Sequence, residues 1–446
     1  MLKRLARMIR EDSLRAKSLR SAFWTMFGFG GESALRLISN LILTRLLAPE
    51  AFGLMALAFV FLNGVQLMSD LGTRASVIRS ARRDADFLAT AWTVQALRGL
   101  VISVVACAIA WPISRIYDEP QLFPVLCVIS ATTAIMGFQS ISVSTAARDM
   151  TLARHTMVLI LTQLITITVM VIVAWQTGSV WALVVGAVLG ASVNSGLTHL
   201  VLPRFEHRFR LEREALRELI RFGRWVILST MFHYLGGRGI TLVHGALVSL
   251  TTLGVLAIST TLIRAFEDLV VKLLSNVALP AFSETLRKNP EAIGSVLARV
   301  RSRVILGAMG FFVALAFLAQ PLIDFLYPPD YAMAGGFLAL QALNGAARVF
   351  CMPYQTVILA TGDSRAHAAV MFVSAALGIL GTIAGFHLFG AFGMILGMGA
   401  AAFVVFALSA YIAWRRGFAD IAFDVLVATL LVTTYAVTLD RLIVFE

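Results

Sequence analysis

The sequence predicts an all-α polytopic membrane protein made of two six-helix lobes that are related by a parallel internal repeat. Three observations lead to this fold class: the composition, the recurrence of long apolar runs, and a register between the two halves. Of the 446 residues, 59% are hydrophobic and only 14% are charged, and the mean hydropathy is +0.85. Soluble chains carry about 25% charged residues, so lipid must solvate most of this one. A soluble enzyme, a disordered chain and a disulfide-rich secreted domain are excluded.

Twelve runs are suited to form membrane helices, each of which needs about 20 mostly apolar residues. They lie near 22–47, 52–73, 87–114, 121–146, 156–176, 179–202, 223–249, 252–281, 303–327, 332–360, 366–388 and 391–413. A thirteenth run, Ile421–Leu439, is shorter and carries Asp424, so it is expected either to span the membrane or to lie at its interface. The first run is not a cleaved signal peptide, because it is too long and carries Glu32 and Arg36.

The positive charge follows the spans. The net charge is +12, and 28 of the 37 Lys and Arg residues lie in the N-terminal tail or in every second loop. The positive-inside rule then places the N-terminus in the cytoplasm. Membrane lipids, including anionic ones, are expected partners, whereas nucleic acid is not. On the same side, segments 204–224 and 283–303 are predicted to form basic amphipathic helices in the headgroup plane.

An offset of 201 residues aligns the starts of the two halves. It places Trp24 on Trp225 and Gly53 on Gly254. Because six is an even number of spans, both halves insert in the same orientation, as in transporters with a substrate path between parallel repeats. We expect spans one and seven to line a shared cavity. The predicted domains are a basic cytoplasmic tail (1–20), an N-lobe (21–203), a cytoplasmic amphipathic linker (204–222), a C-lobe (223–415) and an extra hydrophobic segment (416–446).

Ionisable groups on the first span form a polar stripe. A charge at bilayer depth is costly and should face a cavity or a partner. Glu32, Arg36 and Asn40 recur at i, i+4 and i+8, which puts them on one helix face. The stripe is either an internal Glu32–Arg36 pair that packs the bundle or the wall of a cavity.

The tenth span has the clearest polar pattern. The polar side chains that share one face of its helix are Gln341, Asn344, Arg348, Cys351 and Gln355. An apolar seam would not need three amides and a guanidinium, so this face is predicted to line the cavity. Pro353 is expected to break the helix locally.

Span seven combines Arg238 and His244 with a Gly-Gly-Arg-Gly run at 236–239. The glycines are expected to bend or unwind the helix in mid-membrane. His244 serves either in hydrogen bonding between helices or in proton coupling.

Spans three and eight carry the remaining candidates. In span eight, Asp268 forms i, i+4 pairs with Arg264 and Lys272, whereas Glu267 has no obvious partner. In span three, Arg98 is a further intramembrane cation. Cations modestly outnumber anions within the spans, which favours an anionic substrate because arginine suits phosphate and carboxylate.

The motifs of enzymes are missing from the sequence. It has no phosphate-cradling glycine loop with lysine, and no Ser-His-Asp or metal-ligand spacing. Neither catalysis nor a cofactor nor a metal is therefore expected. Cys107, Cys127 and Cys351 lie far apart in apolar runs and are interpreted as inert thiols.

Several segments resemble Wzx-type oligosaccharide flippases, which are polysaccharide exporters of the superfamily that also holds multidrug exporters and lipid II flippases. The similar segments are Trp24 with the polar first span, LLAPEAFGLMALA at 46–58, DLG at 70–72, YPPDY at 327–331 and LATGD at 359–363. The resemblance implies two lobes in a V, alternating access, and undecaprenyl-diphosphate-linked oligosaccharide moved across a bacterial inner membrane. It also implies a polysaccharide polymerase and co-polymerase as partners.

The sequence therefore predicts an exporter for O-antigen, capsule or exopolysaccharide units. A lipid II or multidrug exporter of the same fold is the alternative, and a membrane glycan polymerase or ligase is disfavoured because no large external loop is present. The residues predicted to bind substrate are Arg36, Asn40, Arg98, Arg238, Arg264, Lys272, Asn344 and Arg348. The residues considered for ion coupling are Glu32, Glu267 and His244.

Overall fold

The computed structural model describes residues 14–68, 72–80, 82–149, 151–220, 239–274, 278–361, 363–418 and 421–443. Within these ranges the chain is helical, apart from connections and one longer irregular segment, and contains no β-strand. The all-α prediction is confirmed. The chain divides into two compact units, Met1–Tyr234 and Leu235–Glu446.

The first unit contains nine helices in its described part. They are α1 (Leu14–Leu43), α2 (Pro49–Met68), α3 (Thr73–Arg79), α4 (Ala85–Ile116), α5 (Leu122–Gly137), α6 (Ser142–Arg148), α7 (Ala153–Thr177), α8 (Trp181–Val201) and α9 (213–220). The helices α4 and α5 approach closely, because a Cβ at Gly99 would lie 2.6 Å from the carbonyl oxygen of Thr133. The α7 and α8 helices form a second packed pair.

The second unit is built around α15. Its described helices are α10 (Ile240–Leu247), α11 (Leu250–Leu273), α12 (Leu279–Lys288), α13 (Ile293–Val300), α14 (Leu306–Leu326), α15 (Ala334–Ala360), α16 (Ser364–Arg415) and α17 (Ile421–Ile443). A π-helical turn, Arg301–Ile305, joins α13 to α14. The helices α11, α12, α14, α16 and α17 all pack on α15, and most of its residues are buried.

The α16 helix is a hairpin of two arms. Phe389 and Gly390 have non-helical backbone angles, and Gly390 has a φ of 62°, which reverses the chain. The two arms meet across this break: a Cβ at Gly385 would overlap the backbone carbonyl of Gly393, and a Cβ at Gly381 would overlap that of Gly397. The two arms therefore touch backbone to backbone.

By length and composition, eight helices of the described residues can cross a membrane, or nine if α5 and α6, bent by 60°, form one span. Spans eleven and twelve of the sequence analysis correspond to the two arms of α16, which count as a single helix here. The thirteenth segment lies in α17, and its Ala422–Asp440 stretch is long and apolar enough to cross. The start of span seven falls on 221–238, outside the described residues. The count of twelve stays a prediction, and so does the repeat.

The segment after α8 differs from the amphipathic helix predicted over 204–224. Residues 203–212, which we call the strap, have no regular secondary structure, and only 213–220 of the described residues are helical. The strap's backbone N–H groups bond to side chains on α4 instead of to their own helix: Arg210 N–H to Thr93 Oγ1 and Glu212 N–H to Thr90 Oγ1, both at 3.0 Å. Threonine hydroxyls of α4 thus accept the N–H groups that carbonyl oxygens four residues earlier would accept in an α-helix.

The 283–303 segment is also not one helix. The α12 helix ends at Lys288, a short 3₁₀ turn follows at Pro290–Ala292, and α13 then begins. Proline disfavours helical geometry at the preceding residue, Asn289, whose φ and ψ are −151° and 84°.

Candidate functional site

The polar residues of α15 fall into two stripes that contact different neighbours. Gln341 and Arg348, seven residues apart, reach α11, where Gln341 Nε2 donates to Thr260 Oγ1 at 2.9 Å. Asn344 and Cys351, also seven apart, reach α16. Seven residues are nearly two helical turns, so each stripe runs along the axis. The helix continues through Pro353 without the predicted break.

An ion pair between Arg348 and Glu267 links α15 to α11. The Glu267 side chain is only 13% exposed, whereas that of Arg348 is 44% exposed. A Cβ at Gly345, one turn before Arg348, would lie 3.2 Å from Glu267 Oε1 and 3.1 Å from the ring of Phe312. The Gly345 backbone therefore lies close to both the carboxylate and the phenyl ring. Because the Arg348 side chain is 44% exposed among the described residues, its guanidinium presents donor surface that can bind an anion.

Asn344 is only 4% exposed, and its amide is used at both ends. Its Nδ2 donates to the carbonyl oxygen of Ile395 at 2.8 Å, and its Oδ1 accepts from the hydroxyl of Tyr435. Cys351 Sγ contacts Ser409 Oγ at 3.4 Å. This second stripe thus joins α15 to α16 and α17 in the interior of the unit.

A fully buried charge cluster lies near the other end of α15. Arg301 is 2% exposed and pairs with Asp424 of α17. Its Nη1 donates to Tyr354 Oη at 2.5 Å, and that hydroxyl donates to Asp424 Oδ2 at 2.6 Å. The guanidinium also lies over three rings, with centroids 4.6, 4.4 and 5.1 Å away for Phe350, Tyr354 and Phe423.

The strap of the first unit forms another charged cluster. Arg82 binds Asp84 and both carboxylate oxygens of Glu212, the latter at 3.0 and 2.8 Å. Asp84 also accepts from the Phe87 N–H at 3.0 Å and so caps α4. The Arg82 guanidinium and this backbone donor lower the pKa of Asp84 to about 2.

Aromatic rings fix the middle of the strap. The rings of His207 and Phe209 both pack against Trp92, each with its centroid 5.1 Å from that of the Trp92 ring. Burial, and then the nearby His199 ring at 4.6 Å, lower the pKa of His207 to about 4. The neutral ring accepts from the Ile141 N–H at 3.4 Å. The strap is therefore bound to the unit by charge, by hydroxyls and by ring packing.

Comparison with known proteins decides the family. The model of a family described as "Polysaccharide biosynthesis protein" matches residues 42–334, which is more than half of the chain. The chain belongs to this polysaccharide biosynthesis family. The match runs from the end of α1 to the start of α15, and so covers parts of both units.

Two relatives with named roles in polysaccharide biosynthesis support membership of the polysaccharide biosynthesis family. The succinoglycan biosynthesis transport protein ExoT of Rhizobium meliloti is 19% identical over 362 residues, which are 81% of this chain and 72% of ExoT. The lipopolysaccharide biosynthesis protein WzxC of Escherichia coli is 22% identical over 308 residues, which are 67% of this chain and 62% of WzxC.

Among solved structures, the lipid II flippase MurJ in an inward closed conformation shares the fold. It superposes with a TM-score of 0.63 at 12% identity, covering 95% of this chain and 98% of MurJ. Together with the apolar helices, this makes the family member described here a multi-pass membrane protein. The resemblance to Wzx-type polysaccharide exporters, stated from the sequence, is confirmed by the family match and the relatives.

The predicted site residues of the first unit lie on two helices. On α1, Glu32 and Asn40 are half-buried and Arg36 is exposed. Arg98, on α4, is half-buried and donates from Nη2 to the Gln66 carbonyl oxygen at 2.6 Å, which connects α4 to α2. The role of each of these residues in substrate or ion binding stays a prediction.

In the second unit, His244 is 7% exposed, and its Nε2 has no hydrogen-bond partner within the described part of the chain. Arg264 is half-buried on α11. Arg238 lies outside the described residues, and so does the side chain of Lys272. Of the predicted site residues, Arg348 and Glu267 lie together as an ion pair. Asn344 is buried and hydrogen-bonded to Ile395 and Tyr435.

Sequence reasoning missed the Arg301 cluster. Arg301 lies beside Arg299 and Arg303 in the basic 283–303 segment, for which the sequence predicts a place in the headgroup plane. The signal that could have revealed its role is Asp424, a lone carboxylate in an apolar run, because such a group needs a cation.

Proposed function

We propose that this protein moves undecaprenyl-diphosphate-linked oligosaccharide repeat units across the bacterial inner membrane by alternating access, with its N-terminus in the cytoplasm. Membership of the polysaccharide biosynthesis family supports this function. So does the similarity to ExoT, a succinoglycan biosynthesis transport protein. The product would feed surface polysaccharide synthesis, with a polymerase and co-polymerase as partners that remove it. Transport, and not catalysis, is the proposed activity.

The observation that carries the proposal is the half-exposed Arg348 guanidinium, which pairs with the largely covered Glu267 carboxylate. A diphosphate in hydrocarbon is prohibitively unstable, because transferring one such charge to a medium of low dielectric constant costs of order 20 kcal/mol in the idealised case. The polyprenyl tail can stay in lipid while the head crosses a core about 30 Å thick. An arginine with free donors supplies the bidentate contact that phosphate prefers.

Glu267 gives this site a means of coupling. When the diphosphate takes the donors of Arg348, the half-buried carboxylate near Gly345 loses its counter-charge. A buried carboxylate without a partner is strongly unfavourable, so a proton or sodium ion is expected to replace the guanidinium. Substrate and ion would then be linked by competition. Glu32 and His244 remain the other candidates for ion coupling.

The test uses the full-length protein in proteoliposomes with a labelled undecaprenyl-diphosphate oligosaccharide. Flipping is read as exposure of the sugar to a membrane-impermeant glycosidase. A charge-assisted hydrogen bond contributes about 1.5–3 kcal/mol, so Arg348→Ala should slow flipping by about 10- to 150-fold. The matched control is Arg299→Ala, which removes an exposed arginine of the same unit. Wild-type flipping by Arg348→Ala would refute the role of Arg348.

The same vesicles test coupling and the alternative substrate. Imposed pH and sodium gradients should change the flipping rate of the wild type but not that of Glu267→Gln. Indifference of the wild type to both gradients would rule out coupling and leave facilitated passage. Lipid II also carries a diphosphate, so it is the second candidate. Faster flipping of lipid II than of the oligosaccharide lipid would favour that reading.

A further inference from the structure

The C-terminal helix α17 lies beyond the twelve predicted spans, yet it holds α15 at two separate points. At one point, Asp424 binds Arg301 and Tyr354. At the other, Tyr435 binds Asn344. All five side chains are at least nine-tenths buried. A helix that only filled the lipid-facing surface would need neither contact.

The first contact is a closed network of three side chains. The Arg301 guanidinium, the Tyr354 hydroxyl and the Asp424 carboxylate each contact the other two. Phe350 and Phe423 cover the guanidinium from α15 and from α17. The network therefore ties three elements together: the π-helical turn, α15 and α17. Hydrogen bonds of this kind are directional, so they depend on the rotation of each helix.

The second contact depends on a small residue of α16. A Cβ at Gly399 would lie 2.8 Å from Tyr435 Oη and would overlap Asn344 Oδ1. Glycine at this position thus lets the Tyr435 hydroxyl reach Asn344 between the helices. Asn344 is also bound to the Ile395 carbonyl oxygen of the same arm of α16.

The two contacts match in spacing. Asp424 and Tyr435 are eleven residues apart on α17, and Tyr354 and Asn344 are ten apart on α15, or about 16 and 15 Å along the axes. The order is reversed, so the helices are antiparallel. Arg348 lies between the two contacts on α15. A rotation of α15 by one residue, about 100°, would break both contacts and turn Arg348 away from Glu267.

We propose that α17 fixes the rotation of α15 and thereby keeps Arg348 directed at Glu267, which makes Arg301, Asp424 and Tyr435 positioning residues for transport. This inference rests on the proposed function only in assigning transport to the Arg348 site. The contacts of α17 themselves concern the orientation of α15. The two claims can therefore fail separately.

The orientation of α15 is measured by cysteine crosslinking in native membranes. Cys107, Cys127 and Cys351 are first replaced by serine. Glu267→Cys is then combined with a cysteine at 347, 348 or 349. A pair at 267 and 348 should crosslink in preference to the flanking pairs, because the Glu267 and Arg348 side chains are in contact. The ratio of the three yields reports rotation and not the amount of folded protein.

Asp424→Asn and Tyr435→Phe are then each introduced into the three cysteine-pair variants. Each substitution should lower, at least threefold, the ratio of the 267–348 crosslink yield to the yields of the flanking pairs. The matched controls are Asp440→Asn, an exposed carboxylate of the same helix, and Tyr411→Phe, an exposed tyrosine of α16. A cysteine pair at Gln139 and Asn194, which hydrogen-bond at 2.7 Å in the first unit, checks folding. Unchanged ratios in both α17 variants would overturn the proposal.

Transport by the same variants, with Glu267 and Arg348 intact, completes the test. Slower flipping together with a lost crosslink preference supports positioning by α17. Slower flipping with an unchanged preference overturns it. If Arg348→Ala flips normally, the proposed role of Arg348 has failed, while the crosslink ratios still decide whether α17 orients α15.

Discussion

Replacing Arg301 alone should destabilise the protein more than replacing Arg301 and Asp424 together. Arg301→Met leaves a carboxylate that is 5% exposed with the Tyr354 hydroxyl as its remaining partner in the cluster. Removing one member of a buried ion pair costs about 3–5 kcal/mol. The guanidinium's contacts with three aromatic rings are also lost, which destabilises the folded protein further.

The double variant, Arg301→Met with Asp424→Leu, replaces the pair by apolar groups of similar volume. Such exchanges are often neutral or stabilising by about 1–4 kcal/mol. Tyr354 then loses its acceptor, which costs about 1–3 kcal/mol. The two effects nearly cancel, so the double variant should lie within about 2 kcal/mol of the wild type.

Thermal unfolding of the purified protein in detergent measures the difference. For a cooperative unit of 150–250 residues, the size of the second unit, 1 kcal/mol shifts Tm by about 2–4 °C. Arg301→Met should therefore lower Tm by about 6–20 °C. The double variant should recover most of this loss. The reasoning is refuted if the double variant unfolds at or below the temperature of Arg301→Met, since charge compensation would then not be what the cluster supplies.

Two further predictions concern the strap and the α16 hairpin. Because burial and His199 hold the pKa of His207 near 4, below its usual 6.5, the unfolded chain binds more protons between these values. Stability should therefore fall as the pH drops from about 6.5 to 4. His207→Gln should weaken this dependence of Tm on pH. The control His387→Gln, at an exposed histidine, should leave it unchanged. In α16, Gly385→Ala would overlap the facing backbone and should cost about 1–3 kcal/mol. Gly310→Ala, which meets no atom within 4 Å, should be neutral or stabilising by thermal unfolding; equal Tm values for the two glycine variants would contradict the close packing.

The sequence was sufficient where structure follows from local periodicity. The apolar runs predicted helices, and the spacing of Gln341 and Arg348 predicted that both lie on one stripe of α15. The same reasoning grouped Asn344 with them, although Asn344 belongs to the stripe that contacts α16. Helical spacing places residues around one axis, but it does not say which neighbouring helix covers each sector.

Contacts between distant segments could not be predicted in the same way. Glu267 had no partner within its own helix, and its partner lies 81 residues further along the chain. The strap was predicted as a helix because its apolar residues have helical spacing. In the structure, Thr90 and Thr93 offer acceptors from another helix, and tertiary hydrogen bonds override local preference. Arg301 illustrates the same limit, since its burial depends on a carboxylate 123 residues away.

The glycine contact between the arms of α16 also bears on how the surrounding bilayer meets the protein. With a backbone carbonyl of one arm against the Cα of the other at Gly381 and Gly385, no lipid chain can enter between the arms. The interface between the two arms at Gly381 and Gly385 is therefore closed by backbone contacts, with no side chain between the arms that could rearrange. During a transport cycle the two arms of α16 should move together as one rigid body. Rearrangement should then be confined to the contacts of α16 with α10, α15 and α17.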